Sequence, residues 1–387
     1  MQNKIILYYL AILIGSQLKI GLLYIAFVAY VFLLRLTSGQ KPKWSAIQIQ
    51  FFMILIIGIT LSVIYVTFNT AAYRDMESMI FSNRKFLIEI TFAIALYEYL
   101  RYQSMDYIIK MLFVAIVLNA VAGTVQLGMH FPQRIWMLFP EPSAAGYFYL
   151  FVFFILLSKM NKPKTYNIVS KYFMILGLAI GSKAQIILLF IVGILKYFTP
   201  LKIFAYIVTL GVIISIFKEQ LMGIDVIKYN LMVLDLYLDK GLAGLRIDNG
   251  VWGTYVTRVS AIQGALICML EHPFGIGFGS FNSWFPENMV HAGFSSPETD
   301  KILDGIYYAS PKSNLLNFFV STGIFGIGFY IYWFKQFFAI RKEQEYLFQS
   351  FIILSLASTF IELNPMYAYF MFLFILKEKE EKKKSKY

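Results

Sequence analysis

The chain has 387 residues, of which 59% are hydrophobic and only 14% charged, where a soluble domain carries about 25% charged residues. Its net charge is +12, but Lys and Arg gather beside long apolar blocks and in a Lys-rich C-terminal stretch, so the excess reads as membrane flanks and excludes nucleic acid as the partner. The one cysteine, Cys268, allows no intrachain disulfide.

The apolar residues come as blocks rather than amphipathic stripes, Phe51 to Phe68 and Met111 to Leu127 among them, and blocks of about 17–25 apolar residues match a bilayer core. The predicted spans, in chain order, are 4–18, 20–36, 47–68, 86–100, 107–129, 142–158, 168–182, 184–198, 201–217, 311–334, 347–360 and 365–376. The expected fold class is therefore an all-α polytopic membrane protein of about twelve transmembrane helices, residues 1–387 forming one membrane domain. The apolar start at Ile5 lacks a small-residue cleavage site and runs into a second span, so no cleavable signal peptide is expected. The stretches 4–36 and 168–198 are each too long for one span and short for two. Orientation decides between the options. With the tail after Lys377 in the cytoplasm, alternate loops that fall inside carry Lys335, Arg341 and Lys342; Lys196 and Lys202; Lys159, Lys162, Lys164 and Lys171; Arg101 and Lys110; and Arg35, Lys41 and Lys43. Merging one doubtful pair would break that pattern.

The loops left outside are 69–85, 130–141, a tight turn near Ser182-Lys183, 218–310 and 361–364. The 218–310 segment is far longer than ordinary connections. Within it, 218–240 is amphipathic enough to lie along the interface, and 254–271 reads as one helix stopped by Pro273.

Several chemistries are absent from the sequence. It has no Walker-type phosphate loop and no H-E-x-x-H, and His130, His272 and His291 lack ligand-like spacing. No cofactor and no metal are expected; Asp75 and Glu77, the close acidic pair of the first outer loop, read as solvated charges before they read as a cation site.

The positive signals cluster on the expected outer face. Glu141-Pro142-Ser143 stands where a span begins. Pro suits a first helical turn and Ser can bond exposed amides there. Glu141 is either a helix-start acid favoured by the dipole or a carboxylate held at the boundary to accept a proton from an incoming hydroxyl. Lys183 interrupts an apolar run, where a charge is costly unless it snorkels or pairs. Arg258 lies on the loop helix, Arg134 and Arg246 lie in other outer segments, and Lys312 begins the tenth span. Each alone reads as a surface charge; together they suit a diphosphate anion, which Arg can grip with two prongs. Gly275-Ile-Gly-Phe-Gly279-Ser-Phe281 follows no strand, so it reads as a tight turn returning the loop to the membrane surface rather than as a phosphate cradle. His130 and His291 are bases available near neutral pH.

Several of these pieces fall in a familiar order. Glu141-Pro-Ser-Ala-Ala-Gly146 at a span start resembles an element of Wzy-type O-antigen and exopolysaccharide polymerases. Gly181-Ser-Lys183 resembles a second element, in which Ser precedes a basic residue. Arg258, an apolar helix and then His272-Pro-Phe-Gly resemble a third, and Ser310-Pro-Lys-Ser-Asn through Gly326 resembles the closing one. The likeness covers residues ~120–330 together with the single large outer loop. It implies an all-helical, glycosyltransferase-C-like fold in the bacterial cytoplasmic (inner) membrane, and glycosyl transfer at its outer face between undecaprenyl-diphosphate-linked oligosaccharides, without a nucleotide sugar. Membrane lipid is an implied neighbour, and a chain-length regulator an implied partner.

Three positions depart from the pattern. Lys183 stands where Arg is usual, Lys312 where O-antigen ligases carry His, and Ser313 where the family has Asn. The missing His weakens the ligase alternative, and the Glu-Pro-Ser element favours a polymerase. In the implied chemistry Arg258, Lys183, Arg134, Lys312 and Arg246 neutralise the departing diphosphate, Glu141 is the acceptor-side base or orienter, and His291 is a second candidate base. The rival from another class, a lipid-linked glycan flippase or secondary transporter, predicts two related halves and broken spans; the sequence shows no internal repeat.

Overall fold

A computed structural model of the chain describes residues 2–16, 21–39, 44–69, 76–130, 137–139, 142–157, 250–291, 309–360 and 366–384, with isolated positions between 168 and 216. Every regular element among the described residues is helical: α1 (Gln2–Gly15), α2 (Gly21–Thr37), α3 (Ala46–Phe68), α4 (Met76–Leu100), α5 (Met105–His130), α6 (Pro142–Leu157), α7 (Gly250–Glu271), α8 (Phe281–His291), α9 (Asn314–Ala339), α10 (Glu345–Phe360) and α11 (Met366–Lys384). Of these, α3, α5 and α9 are long and apolar enough to cross a membrane, and α1, α2 and the second half of α7 are shorter apolar helices. That is the anatomy of a membrane protein. The 4–36 stretch is two helices, α1 and α2. The predicted spans between 168 and 217 and the amphipathic stretch 218–240 lie outside the described residues, isolated positions apart.

The core is built around α11. From Met366 to Leu376 each of its residues is buried, as befits a helix that is apolar on every side. It packs most extensively on α4, and α10 flanks it; α2 and α3 cover other faces of α4, α1 lies on α5, and α7 lies on α9. Aromatic rings lock α9 to α3: the Trp333 ring stacks on Phe51 with centroids 5.1 Å apart and lies parallel to Phe318 at 6.1 Å. The Trp333 indole donates to Gln50 Oε1 at 3.0 Å, which satisfies its one polar atom.

Two helices run past their apolar limits. α4 starts at Met76 rather than near residue 86, so Asn83, Arg84 and Lys85 are helical. α11 continues beyond Leu376 to Lys384. Pairs at i,i+4 support that extension, Lys377 with Glu381 at 2.8 Å and Lys382 with Glu378 at 2.5 Å. The Lys379 ammonium donates to the carbonyl oxygens of Arg101 and Gln103 at 3.1 and 2.5 Å, in the turn that follows α4. Tyr97 donates to Glu378, and Tyr346 donates to Glu380 at 3.0 Å. At the same end Glu98 gathers Arg35, Gln48 at 3.1 Å and Arg101 at 3.5 Å, and Ser45 with Gln48 closes a capping box on α3.

Burial pushes the Glu378 carboxyl up, but the hydrogen bonds from Lys382 and Tyr97 outweigh it and hold it below the ordinary range. A depressed folded value means the stabilisation is fully present above the unfolded value and is lost as pH falls through the folded one. Residues 377–384 should therefore keep their amide protection in mild acid and release it only in stronger acid. Hydrogen exchange across that pH range checks this, and Glu378→Gln should remove the acid-dependent step.

Candidate functional site

Of the seven residues given a role in the implied transfer chemistry, Glu141, Lys183, Arg134 and Arg246 lie outside the described residues. The remaining three sit on one connected piece of structure. Arg258 is a position on α7, His291 is the last residue of α8, and Lys312 stands just before Ser313, the N-cap of α9. Helix α9 thus starts at Asn314, with Lys312 in the loop that enters it rather than inside a span. Lys312 is half-buried and has a backbone φ of 52°, uncommon for a residue with a side chain. The Ser313 hydroxyl lies 3.1 Å from the Leu316 N–H and donates to the Ser358 carbonyl oxygen at 2.9 Å, so this entry is fixed to α10.

Between α7 and α8 runs the glycine-rich turn. It does not return the chain to a surface. Phe278 is fully buried, its ring stacked on Phe86 of α4 with centroids 4.2 Å apart. Its N–H donates to the carbonyl oxygen of Gly58 at 3.3 Å. Gly58 lies twelve residues after Ala46 and ten before Phe68, about 18 Å and 15 Å along the axis at ~1.5 Å per residue. The turn therefore re-enters the bundle to the middle of α3. The Phe278 carbonyl oxygen accepts from Asn83 Nδ2 at 3.1 Å and has the Ser62 hydroxyl at 2.9 Å. Gly58 itself is needed for space, since a Cβ there would sit 2.1 Å from the Phe278 ring. Gly58→Ala should cost about 1–3 kcal/mol by overpacking, read as a lower unfolding midpoint in detergent.

On its other side the turn pairs with α9, which is broken. Gly323 has φ 56° and ψ −140°, outside any helical region. The break frees backbone groups that the turn satisfies. Ile276 N–H donates to Val320 O at 3.0 Å, Gly277 N–H to Ser321 O at 2.9 Å, and Ile324 N–H to Pro273 O at 2.8 Å. Non-helical backbone inside an apolar bundle is tolerated only where such partners exist. The two segments interlock closely, a Cβ on Gly323 falling 2.2 Å from the carbonyl carbon of Phe274. On the far side of the turn, Asn282 of α8 accepts from the N–H of Ala309, three residues ahead of Lys312.

The result is one assembly: α7 with Arg258, the re-entrant turn, α8 with His291, and the entry to α9 with Lys312. It brings two cationic positions and one histidine position onto neighbouring elements around a polar backbone seam. Three residues that sequence reasoning passed over belong beside it. Ser62 and Asn83 grip the turn. Glu89, one helical turn beyond Phe86, is a buried acid within electrostatic reach of Tyr24 and Tyr367; the signal for it was an acid inside an apolar run. No protein-family model matches the chain, and no curated protein matches it in sequence.

Proposed function

We propose that this chain is a polysaccharide polymerase of the Wzy type, joining undecaprenyl-diphosphate-linked oligosaccharides at the outer face of the bacterial cytoplasmic membrane. The observation that carries the reading is the order of elements along the chain: Glu141-Pro-Ser, Ser182-Lys183, Arg258 ahead of a glycine-rich turn, and Ser310-Pro-Lys-Ser. The packing of α7 on α9, with the turn seated in the α9 break, supports it by making the third and fourth of these neighbours. The reading includes about twelve spans, both termini in the cytoplasm, the 218–310 loop outside and a glycosyltransferase-C-like architecture.

In this mechanism the growing chain is the donor and a hydroxyl of a fresh repeat unit is the acceptor. The hydroxyl oxygen attacks the anomeric carbon, the bond from that carbon to the diphosphate oxygen breaks, and undecaprenyl diphosphate leaves. Glu141 takes the hydroxyl proton, with His291 as the second candidate. Arg258, Lys183, Arg134, Lys312 and Arg246 offset charge growing on the leaving group, the role that placed cations play wherever an anion develops. The diphosphate is already an activated leaving group, so neither ATP nor a nucleotide sugar enters. The test is the purified chain in vesicles with a labelled lipid-linked repeat unit and no nucleotide. The expected result is a ladder of chain lengths with free undecaprenyl diphosphate; unchanged substrate contradicts the reading.

The break in α9 favours a second reading, a lipid-linked glycan flippase or transporter, because discontinuous helices line such transport sites. That protein would move the repeat unit across the vesicle membrane without lengthening it.

A further inference from the structure

Resting on the polymerase reading, we propose that Asn83 is a positioning residue for the transfer step, acting through the re-entrant turn. The turn is held by two sets of bonds. Helix α9 grips residues 273–277 by backbone pairing, and that grip fixes the turn to α9 alone. Phe278 is held separately, from α3 and α4. Its N–H reaches Gly58 O, and its carbonyl oxygen takes the Asn83 amide at 3.1 Å and lies 2.9 Å from the Ser62 hydroxyl. Ser62 Oγ is also 2.9 Å from the Gly58 carbonyl oxygen and 3.4 Å from Asn83 Oδ1, and its single proton serves one of the three at a time. Asn83 supplies the donor from α4.

The consequence is a line of bonds running from α4 to the cationic loop. Asn83 fixes the Phe278 carbonyl; α8 opens at Phe281; Asn282 accepts from the Ala309 N–H; and Ala309, buried, leads through Pro311 to Lys312 with its φ of 52°. A backbone conformation of that kind persists only where its surroundings hold it. The α9 pairing and the Asn282–Ala309 bond hold the α7–α8 hairpin and the Lys312 entry as one unit, and Asn83 therefore sets where that unit, with the positions of Arg258, His291 and Lys312, stands against α3 and α4. Asn83 touches no substrate in this scheme and alters the rate by placing groups that do.

Asn83→Asp keeps the side chain's shape and removes its N–H donor; Asn83→Ala removes the whole group. The experiment uses full-length protein in nanodiscs, with the undecaprenyl-diphosphate-linked repeat unit extracted from a strain lacking this gene as substrate. Rates are expressed per folded molecule, counted by the unfolding transition of each variant. Both variants should lose about 10- to 100-fold in kcat, the scale of a displaced catalytic group, with KM within about threefold of wild type. Wild-type kcat in Asn83→Asp overturns the proposal, and so does a loss that disappears once only folded molecules are counted, since that is a purely structural role. Wild-type protein that forms no polymer overturns the polymerase reading itself, and the positioning role with it, and is told apart by failing before any variant is compared.

Discussion

Replacing Arg258 with Ala should abolish long polysaccharide chains while leaving the amount of protein in the membrane unchanged. The residue sits on α7, which ends at Glu271, two residues before the turn engages α9 at Pro273. Among the described residues of α7, Ala265 and Cys268 belong to a buried cluster further along the helix, and the substitution at position 258 leaves that cluster unchanged. Removal of one group that stabilises a developing anion costs about 100- to 1,000-fold in rate, enough to collapse a ladder to single units. An immunoblot of membranes beside a gel of surface polysaccharide reads both quantities. A normal ladder from Arg258→Ala would remove this residue from the mechanism.

The largest effect on the fold is expected from Gly277→Ala. Gly277 has φ +84°, a region that residues with a side chain rarely adopt, and its added Cβ would stand 2.0 Å from the backbone nitrogen of Ser62. Neither atom belongs to a flexible side chain, so α3 and the turn must separate. Separation unseats Phe278 from Gly58, Ser62 and Asn83. Left-handed backbone alone costs about 1–2 kcal/mol, and buried groups left unpaired add about 1–3 kcal/mol each, so a loss of about 3–5 kcal/mol is expected. Thermal unfolding in detergent and proteolysis near residues 272–280 measure it. Gly128→Ala is the matched control, since a Cβ there meets nothing within 4 Å; it should leave both readouts unchanged.

Much of the helical frame was legible because its cause is local. Apolar blocks set α3, α5 and α9, the charge pattern separated α1 from α2, Pro142 opened α6, and Pro273 marked the limit of α7. The helical tail after Leu376 was less so, since its support comes from Arg101, Gln103 and Tyr346 in distant parts of the chain. The depth of the glycine turn was not legible at all. Its partner Ser62 is 216 positions from Phe278, and only packing brings them together. The break in α9 was hidden for a related reason: Gly323 lies inside a stretch that reads as one span, 311–334, and it departs from helical geometry because Pro273, Ile276 and Gly277 take up the freed backbone groups. At the candidate site, residue types in order along the chain pointed to Arg258, His291 and Lys312, while Asn83 and Ser62 carried no motif and emerged only through the carbonyl they share.

Polymerisation of lipid-linked repeat units by this chain is read from a gel of surface polysaccharide from a strain lacking the gene, with and without the wild-type gene restored. A polymerase leaves a single repeat unit on its carrier in the deletion and gives a full ladder on restoration. A deletion strain that displays no unit at all, with lipid-linked units held inside the cell, would contradict polymerisation and favour the flippase reading.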